Sequence, residues 1–149
     1  MIEALQSEAC AFVVVGGYAL AAHGAPRATG DIDVFVRPDA SNAARVVAAL
    51  LKFGAPLGAH GVTQADFALP GTVYQLGLPP SRIDLLTEIS GVTFEEATRH
   101  AVTARLGHLE VSFIGLEAMI ENKRMSGRPK DLVDLATLQA LKAAASKEP

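Results

Sequence analysis

The chain has 149 residues, half of them apolar, which suits a single domain, spanning 1–149, with a core of its own. Its formal net charge of −3 excludes a basic field over the whole surface, of the kind that attracts nucleic acid. The single Cys10 excludes an intramolecular disulfide framework and the apolar runs are too short to cross a bilayer, so we expect a cytoplasmic protein.

Hydrophobic periodicity and turn residues predict alternating helices and strands, and hence an α/β (α+β) fold with a small mixed sheet flanked by helices. The first predicted elements, in chain order, are a helix over 2–8, a strand over 11–15, a helix over 18–23, a strand over 31–36 and a helix over 40–52. A loop with room for one short element is expected over 55–69. The later elements are strands over 72–77 and 82–86, a short helix over 94–99, a hairpin over 101–106 and 109–113, and C-terminal helices over 115–125 and 129–144.

A glycine pair separates the first strand from the next helix. Gly16 and Gly17 follow three valines and precede Tyr18, where a good helix-forming run begins. Backbone N–H groups at such a junction can approach phosphate oxygens, and a Cβ at either glycine would hinder that approach. The alternative is an ordinary turn from strand to helix.

Two aspartates stand at the start of the second strand. Asp31 and Asp33 are separated by one residue, so their side chains point to the same face, roughly 7 Å apart. Without an ion they repel by about 2 kcal/mol at an effective dielectric of about 20, whereas a divalent cation would bind both. The alternative is a solvated strand end that pairs with Arg27 and Arg37. Arg27 could instead add positive charge for a triphosphate, and Thr29 could donate to Asp31 or to a phosphate.

A third carboxylate lies on a later strand. Asp84 stands between Ile83 and Leu85, where a buried unpaired charge would be expensive. It therefore either lies near a metal ion or pairs with Arg82, Arg27 or a backbone donor.

Basic residues cluster where the two C-terminal helices meet: Lys123, Arg124, Arg128 and Lys130. The helix dipole accounts for Lys123 and Arg124 at a helix C-terminus without any further function. Lys130 near a helix N-terminus is electrostatically misplaced, which suggests a task such as binding a phosphate. Asp131 and Asp134 share a helical face, so Asp134 is placed to support a lysine.

The order of these motifs resembles the nucleotidyltransferase superfamily, which has the DNA polymerase β-like fold. The string GGYALAAHGAPRATGDIDVFV is similar to the branch that holds the AbiEii-type toxins and their small relatives. RIDLL resembles the strand that carries the third carboxylate of the family, and KRMSGRPKDLVDL resembles the basic stretch of this branch. The chain departs from the usual Gly-Ser of the superfamily by having Gly-Gly.

This resemblance implies a Mg²⁺- or Mn²⁺-dependent enzyme that moves a nucleoside monophosphate from an NTP to a hydroxyl acceptor. The acceptor would be RNA, such as a tRNA end, or a protein, with a link to toxin–antitoxin systems. The implied catalytic and metal-binding residues are Asp31, Asp33 and Asp84. The implied nucleotide-binding residues are Gly16, Gly17, Arg27, Thr29, Lys123, Lys130 and Asp131.

Two other classes of function stay open at this point. One is a catalytically inactive module, antitoxin-like, that binds a nucleotide or a protein with the same fold. The other is a structural domain whose three aspartates pair with Arg27, Arg37 and Arg82. The sequence does not identify the NTP or the oligomeric state.

Overall fold

Eight helices and six strands, interspersed along the chain, make up residues 1–148, the part that the computed structural model describes, and this confirms the predicted α/β class. The strands are β1 (Phe12–Val15), β2 (Asp31–Val36), β3 (Val73–Leu76), β4 (Arg82–Leu86), β5 (Val102–Leu106) and β6 (Leu109–Phe113). The helices are α1 (Ile2–Ser7), α2 (Gly16–Ala22), α3 (Ala40–Phe53), α4 (Leu57–His60), α5 (Gln64–Ala68), α6 (Phe94–Thr98), α7 (Leu116–Ser126) and α8 (Pro129–Ala145).

The six strands of residues 1–148 form one mixed sheet in the order β3-β4-β2-β1-β6-β5. β2 is parallel to β4 and β1 is parallel to β6, while the other neighbours are antiparallel. Because β2 and β4 are neighbours without being consecutive in the chain, the connection between them passes through three helices and β3. Their register pairs Asp31 with Arg82 and Asp33 with Asp84.

Helix α3, with 14 residues, is a regular amphipathic helix. The Asp39 carboxylate accepts a hydrogen bond from the backbone N–H of Asn42 at 2.7 Å and caps the first turn. Val46, Ala49 and Leu50 recur at helical spacing and are fully buried. Gly54 ends the helix in the left-handed conformation, with a φ of 97°. Truncation of Leu50 to alanine would therefore cost about 2–5 kcal/mol of stability.

The two faces of the outer strand β3 differ. Tyr74 is buried and packs edge-to-face against Phe67 of α5, with ring centroids 6.2 Å apart. Val73 and Gln75, which alternate with it, point to the opposite face and line an open cleft. Helices therefore cover one face of this end of the sheet and leave a cleft on the other.

Most predicted elements agree with the structure, and those of β2 and β4 agree residue for residue. The helix expected from residue 18 begins at Gly16, because a φ of 68° at this glycine bends the chain from β1 directly into α2. The segment expected to be loop over 55–69 holds two short helices, α4 and α5. In α5, Thr63 and Asp66 form a capping box, which supports a helix of only five residues.

The two C-terminal helices pack against each other. α7 ends at Gly127, which has a φ of 62°, and α8 begins at Pro129, as the preference of proline for the first turn predicts. Within residues 1–148, no helix has both the length and the apolar character needed to cross a membrane.

Candidate active site

Asp31, Asp33 and Asp84 converge at one end of the sheet. One carboxylate oxygen from each of the three lies within 4.8 Å of those from the other two. Asp33 and Asp84 are cross-strand neighbours in the parallel pair of β2 and β4, and Asp31 lies two residues before Asp33 on the same face. The structure therefore brings together the three carboxylates that the sequence singled out.

The glycine pair lies directly against this cluster. A Cβ at Gly16 would lie 2.2 Å from Oδ2 of Asp33, and one at Gly17 would lie 2.9 Å from Cβ of Thr29. Neither distance is compatible with a side chain. Gly16 and Gly17 thus let the carboxylate and the threonine approach the backbone at the start of α2.

Arg82 bridges two of the three carboxylates. Its Nη2 donates to Asp31 Oδ2 at 2.6 Å and to Asp84 Oδ2 at 3.3 Å. Its Nε lies 3.2 Å from Asp84 Oδ1, but outside hydrogen-bond geometry, so neither of these buried atoms has a hydrogen-bond partner within residues 1–148. Asp31 also accepts from the Thr29 hydroxyl at 3.1 Å.

The protonation of the two aspartates of β2 differs because their surroundings differ. Burial, together with the negative charges of Asp31 and Asp84, raises the pKa of Asp33 from 3.8 to about 6. Partial burial opposes ionisation of Asp31 too, but hydrogen bonds from Arg82 and Thr29 outweigh it and lower the pKa of Asp31. Asp33 forms no ion pair within residues 1–148, so its charge is the uncompensated one.

The donor set fits a divalent cation. Mg²⁺ and Mn²⁺ prefer oxygen ligands, and the cluster offers three carboxylates. Asp84 Oδ1 is buried and unsatisfied, and burial plus like charge disfavours the ionised form of Asp33. A cation among these oxygens would remove both unfavourable features, although it would compete with the guanidinium of Arg82 for Asp31 and Asp84.

A buried network of ion pairs lies at the junction of α7 and α8. Lys123, only 5% exposed, places its Nζ 3.2 Å from Asp131 Oδ1 and 3.0 Å from Asp134 Oδ2. Arg27 donates to both oxygens of Asp134, each at 3.2 Å. Arg128 donates to Asp131 at 2.6 and 3.4 Å. This network joins the loop before β2 to both C-terminal helices.

Asp131 is the most buried member of this network. It is fully buried, and although burial alone would raise its pKa, its hydrogen-bond donors lower the pKa to about 2. The Ser126 hydroxyl is one of these donors, at 2.8 Å, and no sequence motif pointed to this serine. Asp134 does support a lysine, as its spacing from Asp131 suggested, and it holds Arg27 as well.

An open cleft of about 790 Å³ contains the carboxylates, which is within the usual range for small-molecule sites. All the residues that the resemblance implied for catalysis, metal binding or nucleotide binding line this cleft, with the exception of Asp131. Lys130 is exposed at its rim and forms no ion pair within residues 1–148. Gln75 and Glu88, which no motif indicated, line the opposite side.

The alternative of a structural domain, in which the three aspartates pair with Arg27, Arg37 and Arg82, agrees with the structure only for Arg82. Arg82 pairs with Asp31 and Asp84, but Arg27 pairs with Asp134 and Arg37 pairs with Asp39. A domain that used its aspartates for stability alone would not leave Asp33 partly buried beside two like charges.

A mixed sheet with three carboxylates at one end, beside a glycine bend, is the arrangement expected of a nucleotidyltransferase domain. Residues 2–114 match the family described as "Nucleotidyl transferase AbiEii toxin, Type IV TA system", and the chain belongs to this family. The matched segment includes Asp31, Asp33 and Asp84, whereas α7 and α8 lie beyond it. No curated protein matches the chain. The family is one of nucleotidyltransferase toxins from toxin–antitoxin systems, and nucleotidyltransferases generally use divalent metals.

Proposed function

We propose that this protein transfers a nucleoside monophosphate from an NTP to a hydroxyl of an RNA or a protein, in a reaction that needs Mg²⁺ or Mn²⁺. The observation that carries the proposal is the cluster of Asp31, Asp33 and Asp84, whose oxygens lie within 4.8 Å of one another. The family supports the type of reaction. An antitoxin is the partner that membership of this family suggests.

The three aspartates would hold the metal ion, whose positive charge would stabilise the negative charge that develops on the leaving phosphate oxygens. Metal binding requires the ionised form of Asp33, so below about pH 6 its proton would leave as the ion binds. Asp84 would accept the proton of the acceptor hydroxyl. The acceptor oxygen then bonds to the α-phosphorus, the bond from that phosphorus to its bridging oxygen breaks, and pyrophosphate leaves.

The triphosphate would lie against the α7–α8 side of the cleft. The network there contains the cations Arg27, Lys123 and Arg128 against the carboxylates of Asp131 and Asp134, which leaves one net positive charge. Lys123 is buried and pairs with both Asp131 and Asp134, so it would contribute a fixed positive charge to this side of the cleft and would not change position when the nucleotide binds.

Other residues on this side would complete the nucleotide site. Lys130 is the exposed cation in the cleft that is available to bind a phosphate directly. Gly16 and Gly17 would leave room for the phosphates at the start of α2, and Thr29 would orient Asp31. Asp131 would support Lys123 and would not touch the nucleotide.

The test is transfer of label from each NTP, radioactive at its α-phosphorus, to RNA and to protein in the presence of Mg²⁺. Asp33→Asn should abolish the transfer. Glu110→Gln is the matched control, since it also turns a carboxylate into an amide, at an exposed strand position outside the cleft. Equal transfer by wild type and by Asp33→Asn would refute the proposal.

The second candidate is a catalytically inactive binding module. The observation that favours it is the guanidinium of Arg82, which already neutralises Asp31 and Asp84. Isothermal titration distinguishes the two: this candidate predicts heat from NTP with Mg²⁺ but no transfer to any acceptor.

A further inference from the structure

The in-line geometry of the proposed transfer assigns the acceptor and the pyrophosphate to opposite sides of the cleft. In such a transfer the attacking oxygen and the leaving oxygen lie roughly on one line through the phosphorus. The pyrophosphate would lie on the α7–α8 side, beside the exposed Lys130, and the acceptor would therefore enter from the side of β3. The nucleoside is bonded to the α-phosphorus out of this line, so it needs a third part of the cleft.

The chain after β4 extends the cleft beyond the carboxylates. The backbone N–H of Thr87 donates to the carbonyl of Thr72 at 3.0 Å, so the strand pairing continues past the end of β4. Glu88 follows directly and lines the cleft. Four residues of extended backbone span roughly 13 Å, which is the upper limit for the distance between the Cα atoms of Asp84 and Glu88. A nucleoside held by its α-phosphate at Asp84 would extend along this segment.

A turn fixed to α7 lines the far end of the cleft. Ile89 forms an isolated antiparallel bridge with Val92, and Gly91 between them has a φ of 72°. The Nδ2 of Asn122 in α7 donates to the Ser90 carbonyl at 3.0 Å, which joins the turn to the helix. The turn and α7 therefore form two walls of a slot that exists before any ligand binds.

Apolar side chains line this slot. Leu86, Ile89 and Met125 all border this part of the cleft. Met125 is 57% exposed, yet a Cβ at Gly91 would lie only 2.3 Å from its Cγ, so the methionine side chain packs against the backbone of the turn. Thioether sulfurs make favourable contacts with aromatic rings. A flat ring that entered the slot would therefore find apolar groups to cover, and a nucleobase is such a ring.

Two polar side chains of this slot present hydrogen-bond acceptors. Three other glutamates form ion pairs within residues 1–148, but Glu88 does not, so no protein cation neutralises its carboxylate. The Nδ2 of Asn122 is bonded to Ser90, which leaves its Oδ1 as an acceptor. Adenine, guanine and cytosine carry an exocyclic amino group that can donate to such oxygens. Uracil carries carbonyl oxygens instead, and a carbonyl opposite a carboxylate would leave two acceptors facing each other.

We propose, resting on the transferase function above, that this slot binds the nucleobase and selects NTPs whose base carries an amino group, with Glu88 and Asn122 as the acceptors. Met125 contacts the face of the base. CTP and UTP form the most closely matched pair of substrates, because an amino group in cytosine takes the place of a carbonyl oxygen in uracil. A hydrogen bond to a charged group changes affinity about tenfold, so CTP should bind about tenfold more tightly than UTP.

The experiment measures binding without any acceptor, so that an effect of Glu88 on acceptor binding cannot contribute. Wild-type protein with Mg²⁺ is titrated calorimetrically with analogues of CTP and UTP that cannot be cleaved between the α- and β-phosphates. Glu88→Gln provides an N–H₂ group that can donate to a uracil carbonyl, so the tenfold preference should disappear. Glu110→Gln makes the same change at an exposed position outside the cleft and should keep the preference. Met125→Ala should weaken both analogues about threefold and leave their ratio unchanged.

The outcomes separate this inference from the function on which it rests. Equal binding of the CTP and UTP analogues by wild type would overturn the selection of the base. A preference that is the same in Glu88→Gln and in wild type would overturn the role of Glu88. Either result would leave the transferase function standing, because transfer of label tests that function separately. Binding of neither these two analogues nor those of ATP and GTP by wild type would overturn both.

Discussion

Replacing Asp33 by asparagine should make the metal-free protein more stable while it removes the response to metal. Burial, together with the charges of Asp31 and Asp84, raises the pKa of Asp33 from 3.8 to about 6. A change of this size corresponds to about 3 kcal/mol against the ionised form. Because part of the side chain faces the cleft, solvent reduces this penalty, and we expect Asp33→Asn to gain about 1–3 kcal/mol at neutral pH.

The same pKa gives a pH dependence with a definite sign. The folded state keeps its proton on Asp33 up to about pH 6, whereas the unfolded state releases it near the ordinary pKa of 3.8. Between these values the folded state binds more protons, so this group makes the free energy of unfolding fall as the pH rises. Above about pH 6 its contribution is constant. The difference between wild type and Asp33→Asn should therefore grow from about pH 4 to about pH 6 and then level off.

Urea unfolding followed by circular dichroism measures this difference, first with EDTA present. Addition of Mg²⁺ and a non-hydrolysable NTP should then stabilise the wild type by mass action and leave Asp33→Asn unchanged. Glu110→Gln should behave like the wild type in both experiments. The reasoning fails if Asp33→Asn is no more stable than wild type at neutral pH in EDTA, or if it is stabilised by Mg²⁺ and NTP as much as wild type.

Three further substitutions test other parts of the site. Lys123→Met should lower the free energy of unfolding by about 3–5 kcal/mol, because Asp131 would lose a buried cation, and urea unfolding measures the loss. Gly16→Ala should cost about 1–2 kcal/mol from its positive φ alone and should also displace the Asp33 carboxylate, so that Mg²⁺ and NTP no longer raise the Tm. Arg82→Gln should bind Mn²⁺ about tenfold more tightly in electron paramagnetic resonance titrations, because a charge-assisted competitor is removed.

Matched controls accompany these substitutions. Arg124→Met removes an exposed cation that pairs with Glu121, and a loss above about 1 kcal/mol would undermine the argument from burial. Gly24→Ala has a positive φ of 89° but no atom within 4 Å of the new Cβ, so it should retain the response to Mg²⁺ and NTP. Arg105→Gln, on β5, should not change Mn²⁺ affinity. Weaker Mn²⁺ binding by Arg82→Gln than by wild type would show that the arginine assists the metal instead of competing with it.

Local chemistry made much of this protein predictable from sequence. Alternation along a strand places Asp31 and Asp33 on one face wherever that strand lies, so their proximity follows from spacing alone. The boundaries of β2 and β4 follow from apolar runs ended by turn residues. Within 55–69 the sequence left room for one short element, whereas the structure has two short helices, because four or five residues carry too little periodicity to distinguish a helix from a loop.

Tertiary structure decided which charges meet. The position of Asp84 beside Asp33 depends on β2 and β4 being neighbours, although three helices and a strand separate them in the chain. From the sequence, Arg27 was a candidate ion-pair partner of Asp31 and Asp33. In the folded protein Arg27 instead pairs with Asp134, 107 residues away, and Arg82 pairs with Asp31. Whether two charged groups pair depends on the distance between them in space and on their burial, and neither can be predicted from their separation along the chain. The sequence thus determined which carboxylates the chain contains. The packing of strands and helices determined that Arg82 neutralises Asp31 and Asp84, and that Asp33 has no ion-pair partner among residues 1–148.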